Sequence, residues 1–277
     1  MSPPILQANN LRVSYPVRGL MKKPIEIVHD VTFNIGTGET LGIVGESGSG
    51  KTTIGRGILG LAQVTGGSVM FDGQEISQLP AKHRRALAKD IQVVFQDPYS
   101  SLNPALMIGE TLAEPLMVQG WSRHDSAKRV LELLDRVGLP KNAAARLPRE
   151  FSGGQRQRVA IARALALSPK LVICDEPVSG LDLSTQAKVL DLFIELQRET
   201  GVAYMFISHD LAVIRHVSHR VGVLYKGNMV EQGTTAEVTD NPRNPYTQRL
   251  ILAAPVADPD RQAERRARRA EMLATDR

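Results

Sequence analysis

Short apolar runs alternate with longer amphipathic stretches along this chain. The clearest apolar runs are four predicted strands: Leu41–Val44, Ile91–Phe95, Leu171–Cys174 and Ala203–Ile207. Strands that alternate with helices are typical of a parallel sheet covered by helices on its faces. The pattern therefore predicts an α/β fold.

Two regions depart from this alternation. The stretch Gly67–Ile76 has Asp72-Gly73 at its centre, a dipeptide that favours a tight hairpin turn, so antiparallel strands are expected beside the parallel sheet. Between Pro98 and Gly138 the chain changes to helices separated by prolines. In the predicted helix Ser126–Val137, apolar residues form one stripe: Val130, Leu133, Leu134 and Val137. We expect a helical subdomain inserted into the α/β core, at about residues 97–160.

The composition is that of an ordinary globular protein, with 42% hydrophobic and 23% charged residues. No apolar run reaches the roughly 20 residues that a membrane-spanning helix needs. The N-terminus lacks the basic start and apolar stretch of a secretion signal. We therefore expect the chain to remain in the cytosol and to reach a membrane through a partner.

Cys174 is the single cysteine and lies in an apolar run, which predicts a buried free thiol.

The net charge of +5 comes largely from the C-terminal tail, which contains Arg261, Arg265, Arg266, Arg268 and Arg269. A basic tail can bind nucleic acid or anionic lipid. Alanine and glutamate residues are interleaved with these arginines, and this favours a solvated helix instead.

A glycine-rich motif follows the predicted strand Leu41–Val44. Its pattern is G-x-x-x-x-G-K-S/T, located after a strand and before a helix, as a phosphate-binding loop requires. The residues predicted to bind the nucleotide there are Gly45, Glu46, Ser47, Gly48, Ser49, Gly50, Lys51, Thr52 and Thr53. Lys51 is expected to neutralise the β- and γ-phosphates, and the Thr52 hydroxyl to bind Mg²⁺.

Two carboxylates, Asp175 and Glu176, follow the strand Leu171–Cys174. By themselves they could equally cap the next helix. In a chain that also carries a phosphate-binding loop, they favour a magnesium ligand at Asp175 and a base for the attacking water at Glu176.

The segment Phe151–Gln155 resembles the LSGGQ signature of ABC ATPases, with Phe in place of Leu. The resemblance implies a P-loop NTPase (RecA-like) fold with a mixed sheet, an antiparallel β-subdomain and an inserted helical subdomain. It also implies that the signature closes over ATP held by a second subunit. The residues expected to do so are Ser152, Gly153, Gly154 and Gln155.

The resemblance assigns roles to four further positions. Gln96 is similar to the Q-loop glutamine, which approaches Mg²⁺ and communicates with the membrane partner. His209 is similar to the switch histidine at the γ-phosphate, and Tyr15 to the aromatic residue that stacks on adenine. Asp182 ends a segment similar to the D-loop at the dimer interface, in which Gly180 replaces the usual Ala and is expected to loosen the turn.

Details point to one branch of this family. The segments Val94–Pro104 and Asn241–Arg249, the latter followed by Ala254-Pro255, resemble the F-type ATPase of dipeptide and oligopeptide (peptide/nickel) importers. An unusual insertion, Pro16–Ile27, precedes the phosphate-binding loop. We expect a nucleotide-binding domain over residues 1–240 and a C-terminal extension over 241–277. The extension has no cysteine, so no iron–sulfur centre is expected.

The resemblance implies an ATPase that uses ATP and Mg²⁺ to drive solute import at the cytoplasmic face of the bacterial inner membrane. The implied partners are a second, more often different, ATPase subunit, two transmembrane permeases and a periplasmic or lipid-anchored solute-binding protein, with no nucleic acid. The alternatives are a soluble ABC ATPase of DNA repair or translation and a regulatory ATP sensor. The transported solute stays open among dipeptides, longer peptides, nickel chelates and opine-like compounds.

Overall fold

The computed structural model describes residues 3–16, 24–97 and 101–254. The arginine tail and part of the Pro16–Ile27 insertion lie outside these residues. The strands are β1 (Leu6–Tyr15), β2 (Ile25–Ile35), β3 (Thr40–Val44), β4 (Gln63–Phe71), β5 (Gln74–Glu75), β6 (Ile91–Val94), β7 (Leu171–Asp175), β8 (Ala203–Ser208), β9 (Arg220–Tyr225) and β10 (Asn228–Thr234).

The α-helices are α1 (Lys51–Leu59), α2 (Ala81–Leu87), α3 (Ile108–Val118), α4 (Arg123–Arg136), α5 (Gly153–Ala164), α6 (Leu183–Thr200), α7 (Leu211–Val217), α8 (Thr235–Asp240) and α9 (Pro245–Ala253). Two 3₁₀ turns, Lys141–Ala145 and Pro148–Glu150, connect α4 to α5.

A six-stranded sheet forms the core, in the order β10-β9-β3-β8-β7-β6. Its strands are parallel except for β10, which pairs antiparallel with β9 at one edge. The four strands predicted from apolar runs are the adjacent strands β3, β8, β7 and β6. Every residue of β3 and β8 is buried, because elements cover both faces of the sheet, and this accounts for the unbroken apolar runs.

A second, antiparallel sheet has the order β2-β1-β4-β5. The predicted hairpin is formed by β4 and β5, with Asp72 (φ 48°) and Gly73 (φ 76°) as its two turn residues. Positive φ at both positions is what a tight hairpin turn requires. Strand β4 begins four residues before the predicted start, at Gln63, because it also pairs with β1.

Alternate residues of the central strands enter two hydrophobic clusters. Ile43 and Ile207 pack with residues of the antiparallel sheet and of α1, which lies between the two sheets. Phe206 and Cys174 face the other cluster, where the Phe193 ring contacts the Phe206 ring edge-on at 5.3 Å. The prediction that Cys174 is buried is confirmed, since its exposed fraction is 0%. The two clusters fix the sheet between helices and antiparallel strands.

Helices α3 and α4 lie between β6 and β7 and pack on α5, so the inserted helical subdomain is confirmed. Its bounds, 97–160, and the division at residue 240 stay predictions. The apolar stripe of α4 is buried as expected. The predicted start of α4 is wrong by three residues, because Ser122 caps the helix: its Oγ accepts a hydrogen bond from Asp125 N–H at 3.1 Å.

Among the helices of residues 3–16, 24–97 and 101–254, none combines the length and the apolar character that crossing a bilayer requires.

Candidate nucleotide site

The glycine-rich loop lies between the end of β3 and the start of α1. A Cβ atom at Gly45 would lie 2.1 Å from the Leu224 carbonyl oxygen, so only glycine fits beside β9. Gly48 and Gly50 have φ values of 80° and 104°, which let the backbone turn back on itself before α1. The loop therefore lies at the N-terminus of α1, where backbone N–H groups and the helix dipole favour a bound phosphate.

Lys51 is held inside this loop. Its ammonium group donates hydrogen bonds to Gly45 O at 2.7 Å and to Glu46 O at 2.8 Å. Burial lowers the pKa of Lys51, while the carboxylates of Glu176 and Asp175 act in the opposite direction. The Lys51 ammonium group therefore lies at the loop, where it could neutralise the negative charge of a bound phosphate group.

The side chains expected to bind magnesium meet directly. Thr52 Oγ1 donates a hydrogen bond to Asp175 Oδ1 at 2.8 Å. Burial raises the pKa of Asp175, and the bond from Thr52 opposes that shift. Hydroxyl and carboxylate oxygens are ligands that suit Mg²⁺. The buried hydroxyl of Ser49 has no hydrogen-bond partner within the described chain, which also fits a loop built to hold phosphate oxygens.

Glu176, His209 and Gln96 converge from the ends of three adjacent strands. Glu176 Oε2 lies 3.1 Å from His209 Nδ1 and 3.4 Å from Gln96 Nε2. The Glu176 backbone has a φ of 48°, a left-handed conformation that is strained for a residue with a side chain. Its N–H donates to Ile207 O at 2.9 Å, which holds this conformation against β8.

The side chains of Lys51, Thr52, Gln96, Glu176 and His209 line one cavity of about 620 Å³. Its walls are formed by Tyr15, Ile27, Ser47, Gly48, Gly50, Lys51, Thr52, Thr53, Arg56, Gln96, Glu176 and His209. Sequence reasoning missed two of them. Arg56 follows Thr52 by four residues on α1 and so shares its face, a spacing that could have revealed it. No sequence pattern predicts Ile27 as a cavity residue, because its position in the cavity wall depends on the pairing of β2 with β1.

The signature segment and Asp182 lie outside this cavity. Ser152 caps α5: its Oγ accepts from Gln155 N–H at 3.3 Å, and Gln155 Oε1 accepts from Ser152 N–H at 3.0 Å. A Cβ atom at Gly154 would lie 2.2 Å from Thr185 Cγ2, so glycine lets the start of α5 approach α6. Ser152, Gln155 and Asp182 are exposed. The single chain therefore does not bring them to the phosphate-binding loop.

Asp182 has a structural role that is visible in the chain itself. Its Oδ1 accepts hydrogen bonds from Thr185 N–H at 3.0 Å and from the Ser184 hydroxyl at 2.7 Å, which caps α6. These bonds hold the pKa of Asp182 well below its usual range. Gly180, two residues earlier, has a φ of 84°, so the turn uses a conformation in which alanine would be strained.

Two family models match the sequence. One, described as ABC transporter, covers residues 28–179. The other, described as oligopeptide/dipeptide transporter, C-terminal region, covers residues 230–276. Together they include the phosphate-binding loop, the signature and the extension that follows β9.

Curated relatives carry the name glutathione import ATP-binding protein GsiA. The chain is 52% identical to the protein of Pectobacterium atrosepticum over 263 residues, which cover 93% of this chain and 42% of the relative. It is 50% identical to the Escherichia coli protein over 268 residues, covering 95% and 43%. The chain thus spans less than half the length of the curated relatives it matches.

Solved structures share the fold. The cassette MJ0796, described as a bacterial ABC transporter cassette, is 32% identical and has a TM-score of 0.74, with 83% of this chain and 98% of that chain covered. CbiO1 from Clostridium perfringens, described as part of the ABC transporter complex cbiONQ, is 28% identical with a TM-score of 0.77, covering 87% and 92%. The C-terminal part of this chain matches the region found in oligopeptide and dipeptide transporters. The chain belongs to the ABC transporter family.

Proposed function

We propose that the chain binds ATP with Mg²⁺ and hydrolyses it as one ATP-binding subunit of an importer of dipeptides, oligopeptides or related small solutes. The observation that carries the proposal is the convergence of Lys51, Thr52 and the Glu176–His209 pair on one cavity, with Asp175 hydrogen-bonded to Thr52 at its edge. These are the parts that phosphoryl transfer to water requires, namely charge neutralisation, metal ligands and a base.

Each side chain has a distinct chemical task in this proposal. Glu176 accepts a proton from the attacking water, and His209 Nδ1, 3.1 Å away, orients that carboxylate. Lys51 and the loop N–H groups bind the phosphates, and Tyr15 offers its ring to the adenine. Mg²⁺, bound by Thr52 and Asp175 with Gln96 nearby, would reduce the negative charge of the phosphates.

A second ATPase subunit completes the site in this proposal. The signature segment Ser152–Gln155 and Asp182 lie outside the cavity. Ser152, Gln155 and Asp182 are exposed, so a partner chain can reach them. The solved cassette MJ0796 is described as dimeric, in a post-hydrolysis state bound to ADP and phosphate. The similarity to F-type ATPases favours a different chain as the partner over a second copy.

Helix α3 and its surroundings are the proposed contact with the membrane permeases. Val118 is 77% exposed and Met117 47% exposed, although both are apolar. Both side chains line a cavity of about 750 Å³ between α3 and α4. Exposed apolar surface of this kind marks interaction sites. Contact there, at the cytoplasmic face of the bacterial inner membrane, would link the helical subdomain to two permease subunits.

The names of the relatives support a proposal about the class of cargo. The C-terminal region is that of oligopeptide and dipeptide transporters, and the GsiA relatives are named for glutathione, itself a small peptide. We propose small peptides as the cargo class, delivered by a periplasmic or lipid-anchored binding protein. The rival function, a soluble ABC ATPase of DNA repair or translation, leaves the match of residues 230–276 unexplained.

Two substitutions test the ATPase. Lys51→Ala removes the cation of the loop, and we expect loss of MgATP binding in calorimetric titration.

Glu176→Gln should keep MgATP binding, and we expect the rate of ATP hydrolysis to fall by roughly 10²–10⁴-fold, the usual contribution of a general base. Turnover is measured by phosphate release from the purified complex.

Lys188→Ala and Glu195→Gln are matched controls, because both side chains are exposed on α6, away from the cavity. Both controls should bind and hydrolyse ATP like the unchanged chain. Wild-type hydrolysis by Glu176→Gln would exclude Glu176 as the base.

A further inference from the structure

The C-terminal extension contacts the phosphate-binding loop through one hydroxyl group. The Tyr246 hydroxyl oxygen, at the start of α9, accepts a hydrogen bond from Glu46 N–H at 3.1 Å. Tyr246 lies 200 residues after Glu46 in the chain and is 6% exposed. It does not line the nucleotide cavity, so any effect on the nucleotide must pass through the loop.

The bonded N–H belongs to a peptide group that also holds Lys51. Gly45 O and Glu46 N lie on opposite sides of one planar peptide unit. Gly45 O accepts the Lys51 ammonium at 2.7 Å, and Glu46 N–H donates to Tyr246. Because the peptide is planar, fixing its N–H also fixes the direction of the carbonyl oxygen that holds Lys51.

Tyr246 is itself held by several contacts. Its ring packs on the Tyr225 ring at the end of β9, with centroids 4.1 Å apart. Asn244 Oδ1 accepts from Tyr246 N–H at 2.8 Å, and the Glu231 carboxylate accepts from the N–H groups of Arg243 (2.7 Å) and Asn244 (3.2 Å). Packing and hydrogen bonds of this kind hold Tyr246 in one conformation, so that its hydroxyl can orient the peptide group it contacts.

We propose that Tyr246 is a positioning residue for nucleotide binding, which orients the Gly45–Glu46 peptide and thereby the ammonium of Lys51. The inference rests on the proposed function, because it concerns the affinity of the same loop for MgATP. It gives the C-terminal extension a task within the ATPase subunit: the extension sets the conformation of the phosphate-binding loop.

The substitution Tyr246→Phe tests this directly, since it removes the hydroxyl and retains the ring. Tyr225→Phe is the matched control: it removes a hydroxyl from the same ring pair, and within the described residues that hydroxyl makes no hydrogen bond. Calorimetric titration of the full chain should show MgATP binding weakened about 3- to 10-fold in Tyr246→Phe, the usual effect of one hydrogen bond. Tyr225→Phe should stay within about two-fold of the unchanged chain.

Amide hydrogen exchange supplies a readout that does not involve nucleotide. Exchange at the Glu46 amide should be faster in Tyr246→Phe than in Tyr225→Phe, because only the first loses the acceptor. If Tyr246 served stability alone, Tyr246→Phe would lower the melting temperature and leave both the exchange rate and the Kd at the control values. That result would overturn the positioning role.

The same titrations separate the two proposals. If the unchanged chain binds MgATP and Lys51→Ala does not, the nucleotide site stands whatever Tyr246→Phe shows. An unaltered Kd in Tyr246→Phe would then overturn the positioning role alone. Failure of the unchanged chain to bind MgATP would overturn both.

Discussion

At the scale of single residues, the glycines Gly67 and Gly73 adopt similar backbone conformations for different reasons. Their φ values are 70° and 76°, both in the left-handed region. A Cβ atom at Gly67 would lie 2.1 Å from Asn10 O and 2.3 Å from Asn9 O, at an irregularity in the pairing of β1 with β4. A Cβ atom at Gly73 would meet nothing within 4 Å. Only Gly67 combines a backbone restriction with close approach of two carbonyl groups.

Alanine substitution should separate these two effects. Gly73→Ala costs only the left-handed conformation, about 1–2 kcal/mol. Gly67→Ala adds a clash with backbone that cannot move aside, and overpacking adds about 1–3 kcal/mol. Thermal unfolding monitored by circular dichroism should show a clearly larger loss of melting temperature for Gly67→Ala. Equal losses would contradict the close approach of the Asn9 and Asn10 carbonyls.

At the scale of elements, the N-terminus of α4 shows how one hydroxyl determines where a helix begins. Ser122 Oγ accepts from Asp125 N–H and donates to the Asp125 carboxylate at 2.6 Å. One turn later, the Ser126 hydroxyl is buried and makes no hydrogen bond with any described residue. Of two serine hydroxyls four positions apart, one therefore caps the helix and the other is buried without a partner among the described residues.

We expect Ser122→Ala to destabilise the protein by about 0.5–2 kcal/mol, the usual cost of losing an N-cap. Ser126→Ala removes a hydroxyl group that is buried without a hydrogen bond to any described residue and so lowers stability. We therefore expect the free energy of unfolding to be unchanged or slightly higher in this variant. Denaturant unfolding of both variants and of the unchanged chain measures the difference. A larger loss for Ser126→Ala would show that its hydroxyl has a partner after all.

The parts of this fold that sequence revealed depend on local signals. The strand before Gly45, the glycine-rich loop and the pair Asp175-Glu176 are each contained in a few consecutive residues. The start of α4 was not predicted, although the capping spacing of Ser122 and Asp125 could have revealed it. Ile27 and Tyr246 carry no local signal, because each reaches the loop region only when distant strands or the C-terminal extension pack there.

At the scale of the whole molecule, exposed apolar side chains are concentrated on the helical subdomain. Met117, Val118, Trp121 and Leu131 are between 39% and 77% exposed, and all belong to α3, α4 or the turn between them. The nucleotide cavity lies at the ends of the central strands, on a separate set of residues. A substitution on α3 can therefore test partner binding without touching the nucleotide.

We expect Val118→Asp to reduce the capture of permease subunits, because it places a charge on the proposed contact surface. Each tagged chain carries Glu176→Gln and is purified from native membranes with MgATP, and partners are identified by mass spectrometry. Leu61→Asp is the control, since Leu61 is 62% exposed and lies after α1. MgATP affinity should stay the same in both variants. Equal permease recovery would exclude α3 as the contact.

The burial of Cys174 has a practical consequence for labelling experiments on the folded chain. It is the single thiol of the chain, it is fully enclosed in the core, and burial raises its pKa well above the ordinary value. The thiolate is the reactive form, so a folded chain offers maleimide reagents almost nothing to modify. Cysteines placed on the signature turn and on the phosphate-binding loop could thus carry spin labels or dye pairs with the native residue left in place. Distances between labelled chains, measured spectroscopically with and without MgATP, would then test the proposed pairing of two ATPase subunits.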